Sequence, residues 1–211
     1  MGVNMFIYKS ELGVIARNSL IDCHVKGMDS IVFDNTPGNR LRAFIAQKNH
    51  ALWRNLPQFA LGTSLEMSLA IHSHHCDLVL SPVFGKSYNV APEEYVNAGD
   101  GWMYPAWKYQ SHITTGKGGF VHTPERNEVF VMAARELYQP IEMKARDIHT
   151  WFVPCGEEAA WLVREGKEDS KYDSTCWSDA DLTQFDTTTL YQPMSVDYLR
   201  IQLDKMKVHI L

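Results

Sequence analysis

Three of the nine histidines of this 211-residue chain fall within four positions, His72-Ser73-His74-His75, and Cys76 and Asp77 follow directly. They sit in an apolar run, Ile71 to Leu80, that reads as a strand. Alternate side chains of a strand share a face. His72 and His74 therefore project together, with Cys76 and Leu78 further along, while His75 and Asp77 project to the other side. Two neutral imidazoles on one face are half of a transition-metal site. The opposite face offers His75 and Asp77, an imidazole and a carboxylate. The face with Ala70, Cys76, Leu78 and Leu80 is the more uniformly apolar, although Ile71 and Val79 dilute the contrast, and this favours His72 and His74 as the inward pair.

The elements that must position these groups are short and mostly extended. Strand signals run from Ser30 to Asp34, Arg40 to Ala46, Leu65 to Leu80 (two strands with a bend) and Ser87 to Val90. They return at Val129 to Ala133, Ile141 to Met143, Ile148 to Val153 and Ala159 to Arg164. In Arg40 to Ala46, Leu41, Ala43 and Ile45 alternate with Arg40, Arg42 and Phe44, the pattern of a half-buried strand. Turns are marked by Asn35 to Asn39, Phe84-Gly85-Lys86 and Pro154 to Glu158. Residues 91–127 are rich in glycine, proline and aromatics and predict an elaborate connection covering a sheet, with short strands near Trp107 to His112 and at Phe120-Val121. A short helix is expected over Ser10 to Ile21, with Ser10 as its N-cap. Val196, Leu199, Leu203 and Met206 have the spacing of a C-terminal amphipathic helix, and the polar stretch from Lys167 to Asp173 reads as an exposed excursion. Many short strands and few helices predict an all-β sandwich or barrel.

Composition narrows the function. Hydrophobic residues make up 45% and charged residues 21%, with a net charge of -5, which argues against a nucleic-acid partner or an anionic membrane surface. No apolar run has membrane-spanning length and no signal peptide is evident, so a cytoplasmic location is expected. The four cysteines, Cys23, Cys76, Cys155 and Cys176, form no C-x-x-C pair and suit a reducing compartment. The run Gly116-Lys117-Gly118-Gly119, flanked by His112 and His122, is read as a turn rather than an anion cradle. Trp102, Trp107, Trp151 and Trp161 are core candidates that could also line a cavity.

At these positions the chain resembles the cupin superfamily. His72-Ser73-His74 matches the His-x-His of its first motif, and Gly85 stands at the closing glycine. His149 fits the lone histidine of the second motif. The first motif's glutamate is replaced by Leu78, or Val79 in the longer spacing, and its opening glycine by Glu66. The second motif's proline and glycine positions read Lys144 and Arg146. The resemblance covers about residues 30 to 165 of a single domain spanning 1–211, with 166–211 as a C-terminal extension.

The resemblance implies an all-β, cupin-type jelly-roll β-barrel (a double-stranded β-helix) with a short N-terminal segment and a C-terminal helix. It implies a divalent metal held by His72, His74 and His149, iron(II) first, with zinc, nickel, copper or manganese as alternatives. It also implies a small-molecule substrate and a homodimer, with no nucleic acid and no membrane. The expected activity is that of an iron(II) dioxygenase, with Cys76 or Tyr109 orienting substrate. Alternatives are a metal-dependent isomerase or lyase, and a non-catalytic binding or structural cupin. The His75, Asp77 and His149 set resembles instead the 2-oxoglutarate-dependent oxygenases, in which Arg164 would pair with the cosubstrate carboxylate.

Overall fold

A computed structural model describes residues 5–55, 71–92, 102–110, 119–168, 174–178 and 189–211. The strands are β1 (Phe6–Ile7), β2 (Leu20–Ile21), β3 (Met28–Asp34), β4 (Arg40–Ala46), β5 (Ile71–His72), β6 (Leu78–Phe84), β7 (Tyr88–Pro92) and β8 (Trp102–Gln110). They continue as β9 (Gly119–Phe130), β10 (Met132–Glu136), β11 (Ile141–Met143), β12 (Thr150–Phe152), β13 (Ala159–Glu165), β14 (Thr175–Trp177), β15 (Gln192–Pro193) and β16 (His209–Ile210). Two α-helices, α1 (Leu12–Asn18) and α2 (Val196–Lys205), complete the described elements with two short 3-10 turns.

The strands form two layers. The first is a seven-stranded antiparallel sheet in the order β11-β6-β13-β4-β3-β2-β15. The second comprises a three-stranded sheet, β10-β7-β12, and a four-stranded sheet, β5-β14-β8-β9. His72 and His149 join the two parts of the second layer through a pair of main-chain bonds: each N–H donates to the other's carbonyl, at 2.8 and 2.9 Å. Between β6 and β14 the chain passes repeatedly from one layer to the other, with β6, β11 and β13 in the first and β7, β12 and β14 in the second. This alternation makes an all-β jelly roll, which closes most strand edges against each other.

The central strands of the first layer are buried on both faces. Met28, Phe44, Ala46, Leu78, Leu80, Trp161 and Val163 face the interior, where Trp151, Val153 and Leu137 join them. Ile31, Ala43, Ile45, Ala160 and Leu162 face outward against Ile15 and Ala16 of α1 and Leu199 and Leu203 of α2. The alternation read in Arg40 to Ala46 is thus real but inverted in meaning. The uniformly apolar face packs under the helices, and the face with Arg42 and Phe44 points into the jelly roll.

Other expectations are adjusted by particular residues. The N-terminal helix is shorter than expected: Lys9–Glu11 form a 3-10 turn, Glu11 is the N-cap of α1, and the chain is already extended at Leu20. Ser10 lies inside the turn and caps nothing. At the other end, Ser195 caps α2, its hydroxyl accepting from the Tyr198 N–H at 3.1 Å. Where short strands were expected within the cover, Trp102–Gln110 and Gly119–Phe130 form a long antiparallel pair, β8 and β9. Its register slips between Pro105 and Ala106, where proline has no N–H to give the ladder. The glycine-rich run at 116–118, with His112, lies outside the described residues. Strand β14 inserts between β5 and β8, so the chain beyond residue 166 contributes directly to the second layer. Gly85, at φ +70°, ends β6 at a place where a Cβ would meet the Glu158 carbonyl oxygen at 1.9 Å.

Candidate metal centre

The strand that carries the histidine pair is brief. After Ile71–His72 the chain leaves the ladder, and β6 begins only at Leu78. Residues 56–70, where the earlier part of the expected strand would lie, are outside the described residues. His72 is fixed by its main-chain bridge to His149 and by its register with Cys176 of β14. Ser73 is tied next, its N–H donating to the Thr175 carbonyl at 2.9 Å. His149 immediately precedes β12. The backbone bridge therefore sets two ligand candidates side by side, and the local turn brings His74 over them.

The three rings form a compact cluster. Centroid separations are 4.8 Å for His72 and His74, 4.7 Å for His72 and His149, and 5.0 Å for His74 and His149. One ring nitrogen from each lies within 4.8 Å of the others. His74 Nε2 and His149 Nε2 are 2.8 Å apart. Two nitrogens bound at right angles on one ion, with bonds of about 2.1 Å, stand about 3.0 Å apart, so small ring movements would seat a metal between them.

Asn89 of β7 sets the orientation of His149. Its Oδ1 lies 2.7 Å from His149 Nδ1. An amide oxygen only accepts, so Nδ1 carries the proton and Nε2 is left with its lone pair toward His74. Such a partner on the remote nitrogen is characteristic of metal-binding imidazoles. Burial drives the pKa of both His149 and His74 well below the ordinary value of 6.5, and the charge of neighbouring imidazoles pushes the same way. Both rings are held neutral, the form that ligates. His74 is surrounded by protein yet keeps part of its surface open. The donor set therefore fits a divalent transition metal with open coordination positions.

His75 and Asp77 do not join this cluster, which corrects the alternative triad. The His75 ring meets Ser174 Oγ at 3.0 Å and the Glu168 carboxylate at 3.3 Å. Asp77 is exposed and accepts from the Ala145 N–H at 2.8 Å and Lys144 Nζ at 3.2 Å. These bonds hold its carboxyl below the usual range. It clamps the turn ahead of His149, in which Arg146, at φ +76°, donates its N–H to the His74 carbonyl at 3.0 Å. Arg164 is also outside the jelly roll, bonded to Asn39 Oδ1 at 2.8 Å. Cys76 is a core residue whose thiol burial pushes up to about 11, which leaves it a small apolar group rather than a polar substrate contact. Tyr109 lies on β8 opposite Phe120, and its side chain is outside the described residues.

Of the facing wall, the sequence singled out only Trp151 and Trp161, as core candidates that could line a cavity. Trp151 contacts His149 edge-on at a centroid distance of 5.0 Å and Trp161 at 4.9 Å. Phe44 follows at 6.0 Å from Trp161, with the Arg42 guanidinium 5.5 Å over the Phe44 ring. His24 Nδ1 and the Tyr191 hydroxyl are 2.9 Å apart beside the same Phe44. Both residues have left-handed backbones, at φ +70° and +58°, and no periodicity rule finds such positions.

Alternation of strands between two layers, and three imidazoles gathered on the inner wall, are the features the resemblance implied. The fold is an all-β jelly roll. No protein-family model matches the chain, and no curated protein does. Among solved structures it is similar to hydroxypropylphosphonic acid epoxidase from S. wedmorenis, at 9% identity and a TM-score of 0.35 over 70% of this chain and 55% of that one. It is similar to the polyketide cyclase RemF from Streptomyces resistomycificus, at 10% identity and a TM-score of 0.38, covering 82% and 89%. A Ralstonia eutropha protein of unknown function with a cupin-like fold matches at 10% identity and a TM-score of 0.29, covering 92% and 88%. The chain thus spans little more than half the length of the epoxidase it matches. Among the described residues, no helix is long and apolar enough to cross a membrane.

Proposed function

We propose that this cupin-type chain binds a divalent metal through His72, His74 and His149 and acts on a small organic molecule there. The observation that supports this most directly is the convergence of three ring nitrogens within 4.8 Å, with His149 held in the ligating tautomer by Asn89. Iron(II) with dioxygen as oxidant is the favoured chemistry, because an all-nitrogen site suits iron and three protein ligands leave positions open. When bound, the metal would supply a Lewis acid and a redox centre. The residues do the rest. Asn89 holds the His149 proton on Nδ1, the Asp77 clamp keeps the His74 and His149 segments in register, and Trp151 and Trp161 keep water from the far side of His149. A homodimer is part of this reading.

Elemental analysis of the tag-free protein tests it, beside His72→Ala and His149→Ala. Near-stoichiometric iron in the parent, absent from both variants, is the expected result and would justify dioxygen-uptake screens. A metal-free parent, even after reconstitution with iron(II), would transfer the site to the non-catalytic reading, in which His74 and His149 simply hydrogen-bond each other.

A further inference from the structure

A line of ring side chains runs from the three imidazoles to the edge of the first layer, beside β15. Trp151 meets the His149 ring edge-on at a centroid distance of 5.0 Å, and Trp161 lies 4.9 Å from Trp151. Phe44 follows 6.0 Å from Trp161, and the His24 ring stands 6.5 Å from Phe44. Tyr191 closes the line, its ring 5.5 Å from that of His24 and its hydroxyl 2.9 Å from His24 Nδ1. Trp161 is fully buried, whereas Tyr191 packs against the core and keeps part of its surface open.

Packing alone accounts for rings in a core, and it leaves two features unexplained. Trp161 Nε1 is a buried donor with no acceptor among the described residues, a cost that a phenylalanine would not carry. His24 and Tyr191 are bonded to each other on left-handed backbones, at φ +70° and +58°, that non-glycine residues adopt at a cost. Both features suit the movement of single electrons. Indole and phenol rings give up one electron far more readily than phenyl or alkyl groups. An indole whose N–H has no acceptor cannot shed its proton as the electron leaves, so the oxidised state is passed on rather than trapped. A phenol bonded to a neutral imidazole can shed its proton, because the ring nitrogen takes it.

We infer that Trp151 and Trp161 relay single electrons from Tyr191 to the metal centre, with His24 taking the Tyr191 proton. Phe44 is a spacer between Trp161 and the His24–Tyr191 pair, not a carrier. The inference rests on the metal-centre reading, because the oxidant reacts there. With a peroxide as oxidant, the O–O bond breaks and takes up two electrons, one from iron(II) and one from Tyr191. Two solvent protons complete two waters. Iron(II) ends as iron(III), and Tyr191 ends as a neutral phenoxyl radical with its proton on His24 Nδ1. The path drains an oxidising equivalent that meets no substrate away from the three imidazoles.

The test is EPR of iron(II)-loaded protein, its iron content measured first, frozen rapidly after mixing with hydrogen peroxide. Signals are expressed per bound iron. The parent should show a tyrosyl radical that the metal-free parent lacks. Tyr191→Phe should lose that signal with iron content unchanged. His24→Asn should lose it too, since asparagine suits the left-handed backbone and its amide oxygen accepts a hydrogen bond but not a proton. Trp161→Phe should interrupt the relay and lose the signal, and Trp151→Phe is the second interruption if Trp161→Phe fails to fold. An iron-loaded parent without a tyrosyl signal overturns the relay and leaves the metal reading standing. A signal that persists in Tyr191→Phe belongs to another tyrosine, such as the exposed Tyr8 or Tyr138, and overturns it as well. So does an undiminished signal in the folded tryptophan variants or in His24→Asn. A parent that takes up no iron, even after reconstitution, sinks the metal reading and the relay together, and the iron content tells the two failures apart.

Discussion

The two faces of the seven-stranded sheet are made by the same strands and do opposite work. On the outer face, Ile31, Ala43, Ile45, Ala160 and Leu162 meet Leu199, Leu203, Ile15 and Ala16 in an apolar contact. On the inner face, side chains one residue away in the same strands include Arg42, Phe44, Trp161 and Glu165. The outer face gains free energy simply by removing apolar surface from water, about 25 cal/mol per Å². The inner face carries charges and two donors without an acceptor, Arg42 Nε and Trp161 Nε1, which cost stability. A strand with a period of two can separate these tasks because adjacent residues never share a face.

The sharpest way to break the comparison is to remove one inner-wall ligand. His149→Ala should abolish metal uptake while the protein stays folded, because the helix-covered face is untouched; elemental analysis and thermal melting check both halves. If metal uptake survives, the three-imidazole reading fails. On the outer face, Leu199→Ala should lower unfolding free energy by about 2–5 kcal/mol through the cavity it leaves. Urea melts of that variant, alongside metal titration of its folded form, should show a stability loss without a change of metal stoichiometry.

Smaller effects sharpen the contrast. Asn89→Ala should weaken metal binding by about 10–100-fold, since His149 loses the partner that selects its tautomer. Competition with a chelator measures this, and unchanged affinity would show that Asn89 does not orient the ring. In the metal-free protein, His74 and His149 stay neutral in the folded state at pH values where the unfolded chain already binds protons. Their contribution is full above the unfolded value of 6.5 and is lost as pH falls from there through the lowered folded values. Stability of the metal-free parent should therefore decline on acidification below about pH 6.5, and His149→Ala should flatten that decline. The smallest change belongs to Asp77→Asn. The carboxyl of Asp77 is lowered by the Ala145 N–H first and Lys144 second, so its contribution holds above the ordinary 3.8 and fades as pH falls through the lowered folded value. The variant should lose only that acid-side slope in urea midpoints measured against pH.

Much of the fold was legible because local physics decided it. Arg40–Ala46 and Ile141–Met143 form strands over the residues their alternation marks, and Ala159–Glu165 extends the expected strand by one residue. The helix of Val196–Lys205 follows from its apolar spacing and from Ser195 at its start. His72, His74 and His149 stood out by spacing and by resemblance. Their pairing was reached through a regular strand that does not exist beyond His72, where the chain turns away before β6. The long pair β8 and β9 was hidden by glycine and proline in its sequence, because ladder pairing across a hairpin is not a property of one segment.

The sequence by itself determined which side chains alternate, that turns fall at Asn35–Asn39, Phe84–Lys86 and Pro154–Glu158, and that three imidazoles were available in strand-like runs. Only the tertiary structure decided which face is the interior. When both faces of a strand are buried, periodicity distinguishes two sides and does not say which one a helix covers and which one faces the interior of the jelly roll. The meeting of His72 with His149 has the same origin. It depends on a main-chain bridge between strands separated by most of the jelly roll, and the free energy of that contact resides in the packing of both layers.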